Sequence, residues 1–163
     1  MTTAAEVVHE LDRRGLTIAV AESLTGGLLA AELISVPGAS AVVVGGVVAY
    51  RTPLKASLLG VPIALLAARG AVDPDVAVAM AAGARRALAV EGRSADVGLA
   101  TTGVAGPDPQ DGHAPGTVYV ALSAGGEARV TRLALEGDRE AIRSATVSES
   151  LSMLHEWLTG PRE

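Results

Sequence analysis

The sequence predicts an α/β domain of three layers, α/β/α, around a mixed, largely parallel sheet that ends in an antiparallel hairpin and a helix. Three observations predict it. Helical and buried-strand patterns alternate through the first two thirds of the 163 residues, which builds a sheet covered by helices. The early strand segments are apolar runs, as in parallel sheets buried on both faces. Near the end, two alternating segments flank Ala124-Gly125-Gly126-Glu127 and read as a hairpin.

Taken in order, Val7, Val8 and Leu11 space an amphipathic helix that stops at Gly15. Thr17 to Val20 is the first strand. It runs into Glu22-Ser23-Leu24-Thr25-Gly26-Gly27 and then a helix from Leu28 to about Ile34. Pro37-Gly38-Ala39-Ser40 turns the chain into a second strand, Ala41 to Tyr50, whose unbroken apolar character predicts burial on both faces. Two short helices follow, Leu54 to Leu59 and Ile63 to Ala68, punctuated by Pro53 and Pro62. Asp73-Pro74 opens a longer helix to about Val90, since proline suits a first helical turn. Ala95 to Thr102 is the third strand, followed by Gly103 to Pro107 and a polar loop, Asp108 to Pro115. Thr117 to Ser123 and Ala128 to Leu135 form the hairpin, and Asp138 opens the last helix. No linker or repeat divides the chain, so residues 1–163 are read as one domain.

Composition narrows the function. There is no cysteine, which excludes disulfides, thiolate nucleophiles and cysteine-ligated metals. A formal charge of −5 and three aromatic residues, Tyr50, Tyr119 and Trp157, give neither the cationic surface nor the stacking platforms of a nucleic-acid binder. The start of the chain lacks the basic and apolar regions of a signal peptide, and no apolar run approaches the ~20 residues that span a bilayer, so a cytoplasmic location is expected. His9, His113 and His155 are scattered without ligand spacing, and no metal site is expected. Walker and G-x-G-x-x-G patterns are absent, and Asp96 and Asp108 are read as structural or solvated.

One residue stands out chemically. Lys55 is the only lysine, against twelve arginines. Arginine stays protonated at any ordinary pH, whereas a desolvated lysine loses its proton near neutrality and acts as a base. That function needs a pKa lowered by roughly three units, or ~4 kcal/mol of differential interaction. It also needs a nucleophile nearby; otherwise Lys55 is a surface lysine. Ser23 is the strongest candidate, sitting where a strand breaks into a glycine-permitted turn, although Ser23 or Thr25 also suits a helix cap. The helix beginning near Gly26 would offer backbone amides to an oxyanion or phosphate. Ligands of such sheets sit beyond the carboxyl ends of the strands. Ser23, Tyr50 with Lys55, and Thr102 fall at three such ends and are expected on one rim. Arg139 and Arg143, one turn apart on the last helix, are candidate phosphate contacts or solvated arginines.

Ala21 to Gly27, Tyr50 with Lys55, Gly70-Ala71-Val72, Thr102 to Pro107, Pro115 to Val118 and Gly137-Asp138-Arg139 together resemble, in order and spacing, the CinA C-terminal domain family. The resemblance covers nearly the whole chain. It implies a nicotinamide-nucleotide amidase that converts nicotinamide mononucleotide to nicotinic acid mononucleotide and ammonia, without metal or cofactor. It implies Ser23 as nucleophile, Lys55 as its base and Tyr50 as their hydrogen-bonding partner. By the same resemblance Thr25, Gly26, Gly27, Thr102, Gly103, Gly106 and Arg139 contact substrate. A stand-alone form of the domain is expected, as a homo-oligomer, with a dimer favoured. The sequence departs from the family pattern at Leu24, where cysteine is usual, at Arg51 to Leu54, where Ser-Asn-Glu-Ala is common, and around His113. These departures keep two alternatives open: a pyridine-nucleotide-binding module with altered chemistry, or an amidase for another small substrate.

Overall fold

Thr3 starts the first helix with a capping box: its hydroxyl accepts from the Glu6 amide, and the Glu6 carboxylate accepts from the Thr3 amide. The computed structural model describes residues 1–161. Its elements run α1 (Ala4–Arg14), β1 (Ile18–Glu22), α2 (Leu28–Ile34), β2 (Val43–Val48), α3 (Thr52–Leu59), α4 (Ile63–Arg69), α5 (Pro74–Ala87), β3 (Val97–Gly103), β4 (Thr117–Ala124), β5 (Glu127–Ala134) and α6 (Arg139–Thr159). The five strands lie in the order β2-β1-β3-β4-β5. β1 pairs in parallel with β2 and β3, whereas β4 is antiparallel to both β3 and β5. The predicted three-layer α/β class and its C-terminal hairpin are therefore the observed architecture. Among the described residues no helix is long and apolar enough to cross a membrane.

The two faces of the sheet are built from side chains of different size. Ile18 and Val20 of β1, Val97 and Leu99 of β3, and Val118, Val120 and Leu122 of β4 join the core formed with α1, α2 and α6. The alternate positions, Ala19, Ala21, Ala100 and Ala121, join the core formed with α5. Alanine and glycine on this second face let α5 lie almost on the backbone of the sheet. A Cβ built on Gly98 would collide with the carbonyl oxygen of Ala81 in α5. Gly98→Ala is therefore expected to lower the unfolding free energy by about 2 kcal/mol or more, because α5 must shift. Gly126→Ala, at the hairpin turn where a new Cβ meets nothing within 4 Å, is expected to stay within about 0.5 kcal/mol. Urea denaturation of the two variants measures the contrast.

β2 corrects one expectation. It is an edge strand, half-buried at Val43, Val44 and Val47 and exposed at Gly46 and Val48, where burial on both faces was predicted. An apolar run reads alike in a central strand and in an edge strand, because strand order is decided by long-range pairing. The consequence for the site is favourable. The Ala49 amide still donates to the Glu22 carbonyl, and beyond it the chain leaves the sheet and α3 brings Lys55 back to Ser23 at the end of β1.

Candidate active site

At the carboxyl end of β1, Glu22 is almost fully buried, and its carboxylate accepts from the amides of Leu29 and Ala30 at 2.9 and 3.0 Å. An anionic side chain thus holds the N-terminus of α2, where the helix dipole favours it. Of the amides predicted to await a ligand there, those of Gly26, Leu28, Leu29 and Ala30 are already engaged by the chain itself. The sequence alone gives Glu22 no separate role; its signal is a carboxylate stranded between an apolar strand and a helix start.

Ser23, 7% exposed, follows on the turn. Gly26 and Gly27 make this turn possible, at φ of 58° and 103° respectively. From behind, Arg143 of α6 donates to the carbonyls of Leu24 at 2.9 Å and Thr25 at 3.3 Å, and a Cβ on Gly26 would lie 3.3 Å from its guanidinium. Arg143 is accordingly a brace for the Ser23 turn, a place that neither alternative read from its helix position, phosphate contact or solvated arginine, describes. Arg143→Ala is expected to reduce stability by about 2 kcal/mol, measured by thermal unfolding, since two charge-assisted bonds to partly buried carbonyls are lost.

Lys55 arrives from α3, where Thr52 and Pro53 occupy the first turn. It is only 1% exposed. Its Nζ lies 3.0 Å from Ser23 Oγ and donates to the Ala49 carbonyl at 2.7 Å, with the Tyr50 carbonyl at 3.5 Å. Among the described residues it has no salt-bridge partner; the nearby acid, Glu22, is turned to α2. Desolvation without a counter-ion lowers the Lys55 pKa to about 8. A shift of that size corresponds to about 3 kcal/mol. Amine and hydroxyl at this distance can exchange a proton once the amine is neutral.

The pair opens into a cavity of about 650 Å³. Its floor is Ser23 and Lys55; one wall is Thr102, Gly103, Ala105 and Gly106 after β3; another is Tyr50 to Pro53; and Arg139 stands at the mouth. Three strand ends thus meet on one rim, as expected. Tyr50 is 57% exposed, and its hydroxyl accepts from Arg139 at 3.1 Å, so it does not reach Ser23 or Lys55. Only its backbone carbonyl approaches the lysine. Arg139 also donates to the Gly106 carbonyl at 2.7 Å, tying the β3–β4 loop to Tyr50.

Thr25, Gly26 and Gly27 lie outside the cavity wall. Thr25 is fully buried and hydrogen-bonds Thr101 at 2.8 Å, beneath the site. Thr102 lines the cavity, but its hydroxyl donates to the Ala71 carbonyl at 2.7 Å. Asp96 holds Thr17 at the opposite ends of β1 and β3, while Asp108 lines the cavity mouth. Among the described residues no cluster of His, Cys, Asp and Glu could hold a metal ion.

The family model of the CinA C-terminal domain matches residues 1–158. A CinA-like protein of Frankia casuarinae is 52% identical over 155 residues, spanning 94% of this chain and 34% of the relative. A CinA-like protein of an Anaeromyxobacter species is 53% identical over 152 residues, spanning 92% of this chain and 36% of the relative. The chain thus spans about a third of the length of these curated relatives. Among solved structures, a CinA superfamily protein of Klebsiella pneumoniae superposes with a TM-score of 0.89 at 32% identity, covering 95% of this chain and 94% of that one. The competence/damage inducible protein CihA of Agrobacterium tumefaciens gives 0.86 at 35% identity, covering 93% and 90%. Sequence and architecture agree over essentially the whole described chain, which belongs to the CinA C-terminal domain family.

Proposed function

We propose that this protein is an amidohydrolase that deamidates nicotinamide mononucleotide through Ser23 and Lys55. The observation that carries the reading is a buried, counter-ion-free lysine 3.0 Å from a serine hydroxyl at the floor of an open cavity. The substrate comes from the family resemblance. Neutral Lys55 takes the Ser23 proton as Oγ bonds to the carboxamide carbon. The resulting Lys55 ammonium returns that proton to the departing nitrogen as the C–N bond breaks, and ammonia leaves. Water, deprotonated by Lys55, then cleaves the acyl ester and frees nicotinic acid mononucleotide and Ser23. The Leu24 amide, which donates to no acceptor among the described residues, directly follows the nucleophile and is the available donor to the oxyanion.

Ammonia and nicotinic acid mononucleotide are expected in equal amounts from purified protein and nicotinamide mononucleotide. Binding of the mononucleotide without ammonia release would instead make the chain a nucleotide-binding module. The pH dependence follows from Lys55. A base must be neutral, so kcat/KM is expected to rise about tenfold per unit below pH 8 and level off above it. Stability moves in the same direction. The folded pKa, about 8, lies below the ordinary lysine value of ~10.4, so between these limits the unfolded chain binds more protons. This group's contribution therefore becomes more favourable as pH rises from 8 to about 10.4 and is constant below 8.

A further inference from the structure

We propose that Arg51, rather than Arg139, grips the anionic phosphate of the substrate and makes the site selective for a phosphorylated nucleoside. The inference rests on the amidase reading for the position of the carboxamide, but on Arg51 itself for the charge. Both arginines line the cavity and both are exposed. They differ in what already holds them. Arg139 donates to the Gly106 carbonyl and to the Tyr50 hydroxyl, bonds that join two walls of the cavity. Turning its guanidinium toward a ligand would break them. The Arg51 guanidinium makes no hydrogen bond or ion pair among the described residues, the residue's one bond being that of its carbonyl to the Leu54 amide, so its five donors are available.

Its position is suited to this work. Arg51 is the N-cap residue of α3 and provides no side-chain cap, in a place where serine, threonine, asparagine or aspartate usually does. A cation at a helix N-terminus is also opposed by the helix dipole, and an incoming anion relieves that opposition. Arg51 precedes Lys55 by four positions, which places the two residues about one turn, ~6 Å, apart along α3. With the length of an arginine side chain added, this spans a molecule whose reacting carboxamide and phosphate are separated by a ring and a sugar. Asp108 is the one carboxylate lining the cavity among the described residues; with Arg51 and Arg139 at the mouth, cationic charge exceeds anionic there. A guanidinium pairs with a phosphate through two parallel charge-assisted hydrogen bonds, which a carboxamide or a riboside without an anionic group cannot supply.

The test compares nicotinamide mononucleotide with nicotinamide riboside, which carries the same carboxamide and no phosphate. In Arg51→Gln the ratio of kcat/KM for the mononucleotide to that for the riboside is expected to fall about tenfold, mainly through KM. Arg51→Lys should recover part of the preference, because the charge remains and the fork is lost. An equal loss on both substrates, or no loss on either, would overturn the assignment. Arg139→Gln serves as the counterpart: it is expected to reduce turnover of both substrates by a similar factor, and a loss confined to the mononucleotide would return the phosphate to Arg139.

Calorimetric titration of the same two ligands separates this inference from the amidase reading. If no ammonia is released, tighter binding of the mononucleotide than of the riboside, lost in Arg51→Gln, still supports Arg51 as the phosphate contact. Equal binding of the two ligands to the unsubstituted protein, or no binding of either, would refute it.

Discussion

Replacing Lys55 by arginine is expected to lower ammonia release from nicotinamide mononucleotide by on the order of 10⁴-fold, because arginine keeps a positive charge and removes the base. The measurement is steady-state ammonia formation at equal folded concentration. Loss of activity through unfolding is separated by Lys55→Met. A thioether side chain fills similar volume without burying an amine, so this variant is expected to be inactive and yet about 1 kcal/mol more stable at pH 7. An enzyme that is inactive but more stable locates the defect in the chemistry. An active arginine variant would remove Lys55 from the role of base.

Ser23→Ala is the second large effect, again a loss on the order of 10⁴-fold, since nucleophile and base act as a unit and removing either removes covalent catalysis. Binding of the mononucleotide should persist. The structure makes this prediction sharp by engaging the other hydroxyls near the site. Thr25 is bonded to Thr101, and Thr102 donates to the Ala71 carbonyl. Neither has a neighbouring amine. Combining Ser23→Ala with Lys55→Met should cost no more than either alone, whereas multiplied losses would mean that the two residues act in separate steps.

Much of this arrangement was legible before any coordinates. A lone lysine among twelve arginines singled out Lys55, and a strand that breaks at Glu22-Ser23 into two glycines singled out the turn whose serine hydroxyl lies 3.0 Å from it. Helix ends were legible where chemistry is local, as with Gly15, Asp73 and Asp138. What escaped depends on long-range geometry. The destination of the Glu22 carboxylate, the turning of Tyr50 toward Arg139, and the reach of Arg143 across to Leu24 and Thr25 are set by how α2, α3 and α6 dock. The same holds for Thr25, which spacing places beside Ser23 and packing puts beneath it. Sequence distance ranks these residues together; only the fold separates floor, wall and brace.

The two departures around Lys55 acquire different meanings in the structure. Pro53 lies in the first turn of α3, where a missing amide costs little, and it lines the cavity without disturbing the Lys55 contact. Arg51 changes the charge of the mouth. Leu24, in place of the usual cysteine, is 4% exposed and packs in the core with residues of α6, so its side chain serves packing, while its amide is the part that faces the proposed chemistry.

Because Lys55 is the only lysine, its side-chain NMR signals need no assignment, and titrating the 13Cε resonance of lysine-labelled protein reads its ionisation directly. A midpoint near pH 8 is expected, set by burial without a counter-ion beside Ser23. A midpoint at or above the ordinary lysine value of ~10.4 would mean that Lys55 stays charged at neutral pH and is not the base.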